Sequence, residues 1–154
     1  MKICGLLKED HIFYDLKPGD KEGVLRSFTG ALKAKGLILD EAKILDGLLM
    51  RESLCSTGLE RGIGVPHALT SEMKRSFLAL AVFQEGIYFD SADQKPTYVL
   101  LMILGNQDDP GAQLKILAHI CRLVKETDFI EKLKKSASPL DACRILEEEE
   151  AKII

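Results

Sequence analysis

The sequence lacks a long hydrophobic run and a strong excess of either charge. No apolar stretch approaches the roughly 20 residues that a membrane-spanning helix needs, and the first residues, Met1 to Gly5, lack the apolar core of a secretory signal. The net charge of -3 gives no electrostatic reason to expect a nucleic-acid partner. These absences predict a cytoplasmic protein with neither membrane insertion nor nucleic-acid binding.

Cysteine and histidine are also too scattered to indicate a metal centre. The four cysteines form no C-x-x-C pair, and none has a histidine nearby at ligand spacing: Cys4, Cys55, Cys121 and Cys143. We interpret them as small buried hydrophobic residues. The glycine-rich nucleotide motifs, the H-E-x-x-H motif and the nucleophile elbow are all missing. The sequence therefore implies no metal and no organic cofactor.

Four capping signals predict where the main helices begin. Asp20 precedes a helix that ends at Gly36, and Asp40 precedes a second helix that runs to about Leu54. Asp109-Pro110 and Ser138-Pro139 mark two further starts in the C-terminal third. The residues expected to face inward on these last two helices are Leu114, Leu117, Ile120, Cys121 and Val124, then Leu140, Cys143 and Leu146.

Two continuous apolar runs predict strands between these helices. Residues 77–83 and 98–104 are uniformly apolar, which favours strands buried on both faces. Residues 86–89 are expected to add a short strand before a turn-rich loop at 90–96. Because helices precede and follow the strands, we predict an α/β layered fold, with one domain over 1–154 and a core of about 6–147. The acidic run 147–150 is expected to be a frayed, solvated tail.

Of the three histidines, His67 is in the most unusual context. It ends the run Gly62-Ile63-Gly64-Val65-Pro66-His67, in which Pro66 biases the preceding residue to an extended conformation and ends strand pairing. We therefore predict a strand that stops abruptly and presents His67 at its end, where ligands of α/β sheets often bind. A structural histidine that bonds a loop carbonyl is an equally good local interpretation.

The other two histidines look structural or solvated. His11 lies in a mixed segment near the N-terminus. His119 lies two residues from Leu117, which is about 200° around a helix, so it is expected at the surface or at the edge of the core.

Polar residues upstream of His67 could hold a phosphate. Arg51 offers a planar donor fork, and Ser56 and Thr57 offer hydroxyls, with loop N–H groups after Gly58. The alternative is that Arg51 is a helix C-terminal cation that pairs with Glu52, and that the hydroxyls belong to an ordinary loop.

The stretch from Arg51 to Ala68, RESLCSTGLERGIGVPHA, resembles the signature of phosphotransferase-system IIA domains of the fructose, mannitol and nitrogen-regulatory class. The wider resemblance covers most of the chain. It implies a mixed β-sheet flanked by helices on both faces. It also implies that His67 accepts a phosphoryl group from the phosphohistidine of HPr or a paralogue, through Nε2, with Arg51 beside the phosphate. The group would pass to a IIB partner or stay as a regulatory mark.

One position departs from the class. Many members carry a second histidine where this sequence has Gln113. Glutamine can donate a hydrogen bond to a phosphate, as Ser56 and Thr57 are expected to do, but it carries no positive charge. We therefore expect slower transfer to a IIB partner, or a chiefly regulatory protein.

Several uses stay open on the sequence alone. The nitrogen-regulatory type is favoured, because a chain without an attached IIB or IIC segment is typical of that branch. A stand-alone fructose-type or mannitol-type IIA is the first alternative. A binding module that is never phosphorylated is another, as is an unrelated α/β small-ligand binder in which His67 is structural.

Overall fold

Two long antiparallel strands form the centre of one mixed sheet. The computed structural model describes all 154 residues. After a single 3₁₀ turn, Glu9–His11, the elements follow in this order: β1 Ile12–Phe13, α1 Lys21–Ala34, α2 Glu41–Leu54, β2 Ile63–Gly64, β3 His67–Thr70, β4 Phe77–Ile87, β5 Thr97–Asn106, α3 Pro110–Glu126, α4 Phe129–Lys134 and α5 Pro139–Ala151. Strand β1 pairs in parallel with β4, and both β2 and β3 pair in parallel with β5. The mixed sheet that the family resemblance implies is confirmed.

Alternate residues of β5 belong to two separate cores. Val99, Leu101 and Ile103 pack with α3, α4 and α5. Leu100, Met102 and Leu104 pack with α1 and α2 on the opposite face. Because successive side chains of a strand point to opposite faces, this alternation buries the strand completely. Helices therefore cover both faces of the sheet, as predicted. The short strand expected at 86–89 is not separate: β4 continues to Ile87, with an irregularity after Val82, and residues 88 and 89 lie outside it.

The predicted caps account for three helix starts. Asp20 accepts a hydrogen bond from the N–H of Gly23, Asp40 from that of Lys43 and Ser138 from that of Asp141. Asp109 forms no such bond, although Pro110 is the first residue of its helix as expected. None of the helices combines the length and the apolarity required to span a bilayer.

The predicted inward faces of α3 and α5 are partly wrong. Leu114 and Leu140 are each 67% exposed, and Cys121 is exposed as well. The buried residues are instead Gln113, Ile116, His119, Ile120, Leu123 and Val124 on α3, and Ala142, Ile145, Leu146, Glu149 and Glu150 on α5. Polar side chains can take these inner positions because each has a hydrogen-bonding or ionic partner inside the protein.

The prediction that the cysteines are buried is also wrong. Cys55 and Cys121 are exposed, and Cys4 and Cys143 are half-buried. Cys55 caps the end of α2, and Cys121 lies on the outer side of α3. These positions face away from the core, so both side chains are exposed despite their apolar character.

The acidic run 147–150 is helical rather than frayed, and only half of it is solvated: Glu147 and Glu148 are exposed, whereas Glu149 and Glu150 are buried. Glu150 is only 1% exposed and accepts hydrogen bonds from the N–H of Ile3 at 2.6 Å, the N–H of Cys4 at 3.0 Å and Nε2 of His119 at 2.7 Å. Glu149 is fully buried and pairs with Lys132 and Lys152. The N-terminal segment packs against α5 and supplies the two backbone donors, Ile3 and Cys4. His119, predicted near the surface, is therefore a buried partner of Glu150.

Candidate functional site

His67 is the first residue of β3, on an edge strand that Pro66 interrupts. Gly64 pairs with Leu100 and His67 pairs with Ile103. The two pairs are three positions apart on both strands, so the register continues across the break. The carbonyl of Pro66 accepts from Ile103, but proline has no N–H to donate in return. The predicted strand thus stops, as expected, but His67 begins a further strand instead of a loop.

Both ring nitrogens of His67 have hydrogen-bonding partners. Nδ1 lies 2.8 Å from the carbonyl oxygen of Val65, and Nε2 lies 3.2 Å from Nε of Arg51. A carbonyl only accepts and a guanidinium only donates. The ring is therefore neutral, with its proton on Nδ1 and its lone pair on Nε2.

The surroundings of His67 favour this neutral form. Burial of the half-exposed ring lowers the pKa of His67, and the positive charge of Arg51 lowers that pKa as well. The hydrogen bond to Val65 and the charge of Glu52 act in the opposite direction, but the net pKa falls below the ordinary histidine value. Nε2 thus carries a free lone pair at neutral pH.

Arg51 reaches His67 from the last turn of α2. Its Nη1 donates to the carbonyl of Cys55 at 2.9 Å, which holds the guanidinium at the end of the helix. Nη2 has no partner within the chain and is free to bind an oxyanion. Arg51 forms no ion pair with Glu52, because that carboxylate binds Lys21 and Thr57.

Ser56 and Thr57 support the loop and do not bond His67 or Arg51. The Thr57 hydroxyl donates to the Glu52 carboxylate. Ser56 Oγ accepts from Nζ of Lys21 at 2.8 Å and lies 3.2 Å from the carbonyl oxygen of Phe89. Both predicted phosphate donors are therefore committed to holding the segment before β2. Lys21 was not predicted from the sequence at all, since its position in α1 carries no local signal.

Gln113 lies beside the strand that carries His67. Its Nε2 donates at 2.9 Å to the carbonyl oxygen of Ala68, and the side chain is buried. A Cβ on Gly105 would lie 3.0 Å from that nitrogen, so the glycine leaves room for the amide. Gln113 holds β3 from the α3 side and forms no hydrogen bond with the His67 ring.

The remaining histidines lie outside this site. His11 is buried, bonds the carbonyl of Leu78 through Nδ1 at 2.9 Å and stacks near Phe77. His119 pairs with Glu150. No group of three or more His, Cys, Asp or Glu side chains is arranged to hold a metal ion.

Exposed apolar side chains lie on the two elements that carry Arg51 and His67. His67 and Arg51 line none of five cavities on the surface of the chain. On the helix that carries Arg51, Met50 is 69% and Leu54 78% exposed, and Leu69 of β3 is 41% exposed. Small ligands are usually enclosed in concave pockets, whereas exposed apolar side chains around an open site suit a macromolecular partner.

Comparison with known proteins identifies the family of the chain. The pattern of the family described as "Phosphoenolpyruvate-dependent sugar phosphotransferase system, EIIA 2" matches residues 5–149. The fructose-specific EIIA component of Haloferax volcanii is 36% identical over 121 residues, which are 79% of each chain.

Two solved structures share the fold. The nitrogen regulatory protein IIA-Ntr of Neisseria meningitidis superimposes with a TM-score of 0.83 at 26% identity, over 94% of this chain and 98% of that one. The IIA-Mtl of Escherichia coli, solved in complex with phosphorylated enzyme IIB-Mtl, gives a TM-score of 0.73 at 21% identity, over 92% of this chain and 97% of that one.

Proposed function

The chain belongs to the EIIA 2 family of the phosphoenolpyruvate-dependent sugar phosphotransferase system, whose members are phosphoryl carriers, and we propose that Nε2 of His67 is the atom that carries the phosphoryl group. The observation that supports this most directly is the pair of hydrogen bonds on the ring. Val65 accepts the Nδ1 proton, and Arg51 stands beside the Nε2 lone pair.

The proposed step needs no proton transfer at His67. The Nε2 lone pair attacks the phosphorus of a donor phosphohistidine, a new N–P bond forms, and the donor's N–P bond breaks with its electron pair returning to the donor imidazole. Nδ1 keeps its proton throughout, so the positive charge that develops on the ring is stabilised by the Val65 carbonyl. Arg51 turns from Nε2 to the phosphoryl oxygens, because phosphoryl transfer depends mainly on positioning and on donors around those oxygens.

The donor and the acceptor are proposed to be proteins of the same system in the cytoplasm. An HPr-type phosphohistidine protein would supply the phosphoryl group, and a IIB protein or a regulatory target would receive it or respond to it. The exposed Met50, Leu54 and Leu69, on the elements that carry Arg51 and His67, support protein partners.

Within the family, we infer a nitrogen-regulatory use. Gln113 is bound to the Ala68 carbonyl and provides no cationic imidazole for transfer onwards, and the overall fold resembles that of IIA-Ntr. A sugar-transport use is the second candidate, supported by the 36% identity to the fructose-specific component.

Intact-mass spectrometry tests the carrier proposal. After incubation with enzyme I, an HPr and phosphoenolpyruvate, we expect one acid-labile phosphoryl group, absent from His67→Ala. If neither a general HPr nor the organism's own HPr paralogue added mass, the carrier proposal would be overturned in favour of a binding module. Mixing the phosphorylated chain with a fructose-type IIB domain then separates the two uses, because rapid, complete transfer would favour sugar transport.

A further inference from the structure

A chain of hydrogen bonds connects a buried carboxylate to the ring of His67. The Glu52 side chain is 4% exposed and accepts from the N–H of Thr57 at 3.0 Å and from the Thr57 hydroxyl. The carbonyl of Thr57 accepts the N–H of Val65 at 3.0 Å. The carbonyl of Val65 lies 2.8 Å from Nδ1 of His67. Glu52 thus holds Thr57, and Thr57 in turn holds the backbone of Val65, the residue whose carbonyl accepts the ring proton.

Lys21 neutralises Glu52 from a different part of the chain. Its Nζ lies 2.9 Å from Oε1 of Glu52 and 2.8 Å from Oγ of Ser56, and 4.8 Å from the centre of the Phe89 ring. A buried carboxylate is costly unless it is paired. Lys21 is the one ion-pair partner of Glu52, so without it the buried carboxylate would have no cation beside it.

We propose that Lys21 and Glu52 are positioning residues for phosphoryl transfer. Through Thr57 and Val65 they keep the His67 proton on Nδ1, and by pairing with each other they leave Arg51 free to face Nε2. The inference rests on the proposed function, since it assigns these residues to the same histidine. Neither residue touches the phosphoryl group in this scheme.

The test compares charge removal with charge retention at position 21. Lys21→Met removes the cation but keeps a side chain of similar length, and Lys21→Arg keeps the cation. Lys33→Met is the control on the same helix, because Lys33 is exposed and donates to the carbonyl of Leu39. Two-bond ¹⁵N–¹H spectra of the imidazole report the tautomer, and rapid-quench phosphorylation by phospho-HPr reports the rate. We expect Lys21→Met to mix the tautomers and slow phosphorylation by up to about 100-fold, as small misplacements of reacting groups do.

Lys21→Arg should restore the wild-type tautomer and most of the rate, and Lys33→Met should match wild type. Should Lys21→Met fail to fold, Glu52→Gln provides the same comparison, because it removes the charge and keeps one acceptor oxygen for Thr57. A single Nδ1–H tautomer and an unchanged rate in the folded variant would overturn the inference. If phospho-HPr failed to phosphorylate the wild-type protein, the proposed function would be overturned instead. The tautomer spectra need no phosphorylation, so they would still decide the role of Lys21.

Discussion

The side-chain amide of Gln113 donates a 2.9 Å hydrogen bond to the carbonyl oxygen of Ala68, the residue that follows His67. Helix α3 is thereby joined to β3 at the residue beside the candidate phosphoryl acceptor. Gly105 makes this possible, because a Cβ there would lie 3.0 Å from the amide nitrogen. The position where many relatives of the class carry a second histidine is thus occupied by a neutral group with a structural bond.

Gln113→His is expected to raise the rate of phosphoryl transfer to a cognate IIB protein. An imidazole can still donate to Ala68 and can also carry a positive charge near the phosphoryl group. Rapid-quench transfer measurements on the phosphorylated protein would show the change. Gln84→His, at an exposed position of β4, is the matched control. An unchanged rate in Gln113→His would contradict the prediction.

Arg51→Met should slow phosphorylation of His67 by about 100-fold or more, as the loss of one preorganised donor does in other transfer reactions. The reason is that methionine cannot donate to the phosphoryl oxygens. Arg51→Lys should recover only part of the rate, since an ammonium lacks the planar fork. Arg26→Met removes an exposed arginine that pairs with Glu22 on α1 and should leave the rate unchanged. Equal rates in the Arg51→Met variant and the wild type would exclude a role for Arg51.

The pH dependence should follow the lowered pKa of His67. Burial and the charge of Arg51 keep the ring neutral, so an NMR titration should place its midpoint below the ordinary value of about 6.5. Because the unfolded chain takes up this proton first, the stability that His67 contributes is present above about pH 6.5 and declines as pH falls. In Arg51→Met the midpoint should move upward. A wild-type midpoint above the ordinary value would refute the assigned causes.

Gly58→Ala should displace the loop before β2 and slow phosphorylation. A Cβ at Gly58 would lie 2.5 Å from the carbonyl oxygen of Phe89 and 2.9 Å from Cα of Ser91, both backbone atoms that cannot move aside. Thermal unfolding and phosphorylation rate measure the effect. Gly30→Ala in α1 is the control: its Cβ would meet nothing within 4 Å, so it should stabilise the helix by about 0.5–1 kcal/mol.

Glu150→Gln should destabilise the protein by about 1–3 kcal/mol, the cost of an unsatisfied buried polar group. Burial alone would raise the pKa of Glu150, but donors from Ile3, His119 and Cys4 hold that pKa below its ordinary value. An amide has only one acceptor oxygen for these donors. Denaturant unfolding at pH 7 gives the free energy. Glu148→Gln, where the exposed carboxylate pairs with Arg144, should change it little; similar losses in both variants would contradict the buried network.

The linkage between proton binding and folding predicts the pH range in which the wild-type protein loses the stabilisation from Glu150. Because the folded-state pKa of Glu150 is depressed, its stabilisation is present above the unfolded value of about 4.3 and is lost as pH falls through the lower folded value. The difference between wild type and Glu150→Gln should therefore shrink in acid.

Sequence alone was enough for features that depend on near neighbours. Local chemistry and periodicity predict the two apolar strands and the helices that cover both faces of the sheet. They also predict the capping residues Asp20, Asp40 and Ser138. The association of His67 with Arg51, 16 residues away, was expected from the family resemblance, whereas the residues alone left Arg51 open as a helix-end cation.

Tertiary structure decided which polar side chains are buried. Lys21 meets Glu52 across 31 residues, His119 meets Glu150 across 31, and Ile3 meets Glu150 across 147. Hydropathy patterns place polar residues outside, because they record the cost of burying a polar group and not the partner that removes that cost. The inner faces of α3 and α5 were therefore set by partners that only the folded chain brings together, whereas the strands and the helix starts were already determined by the residues next to them.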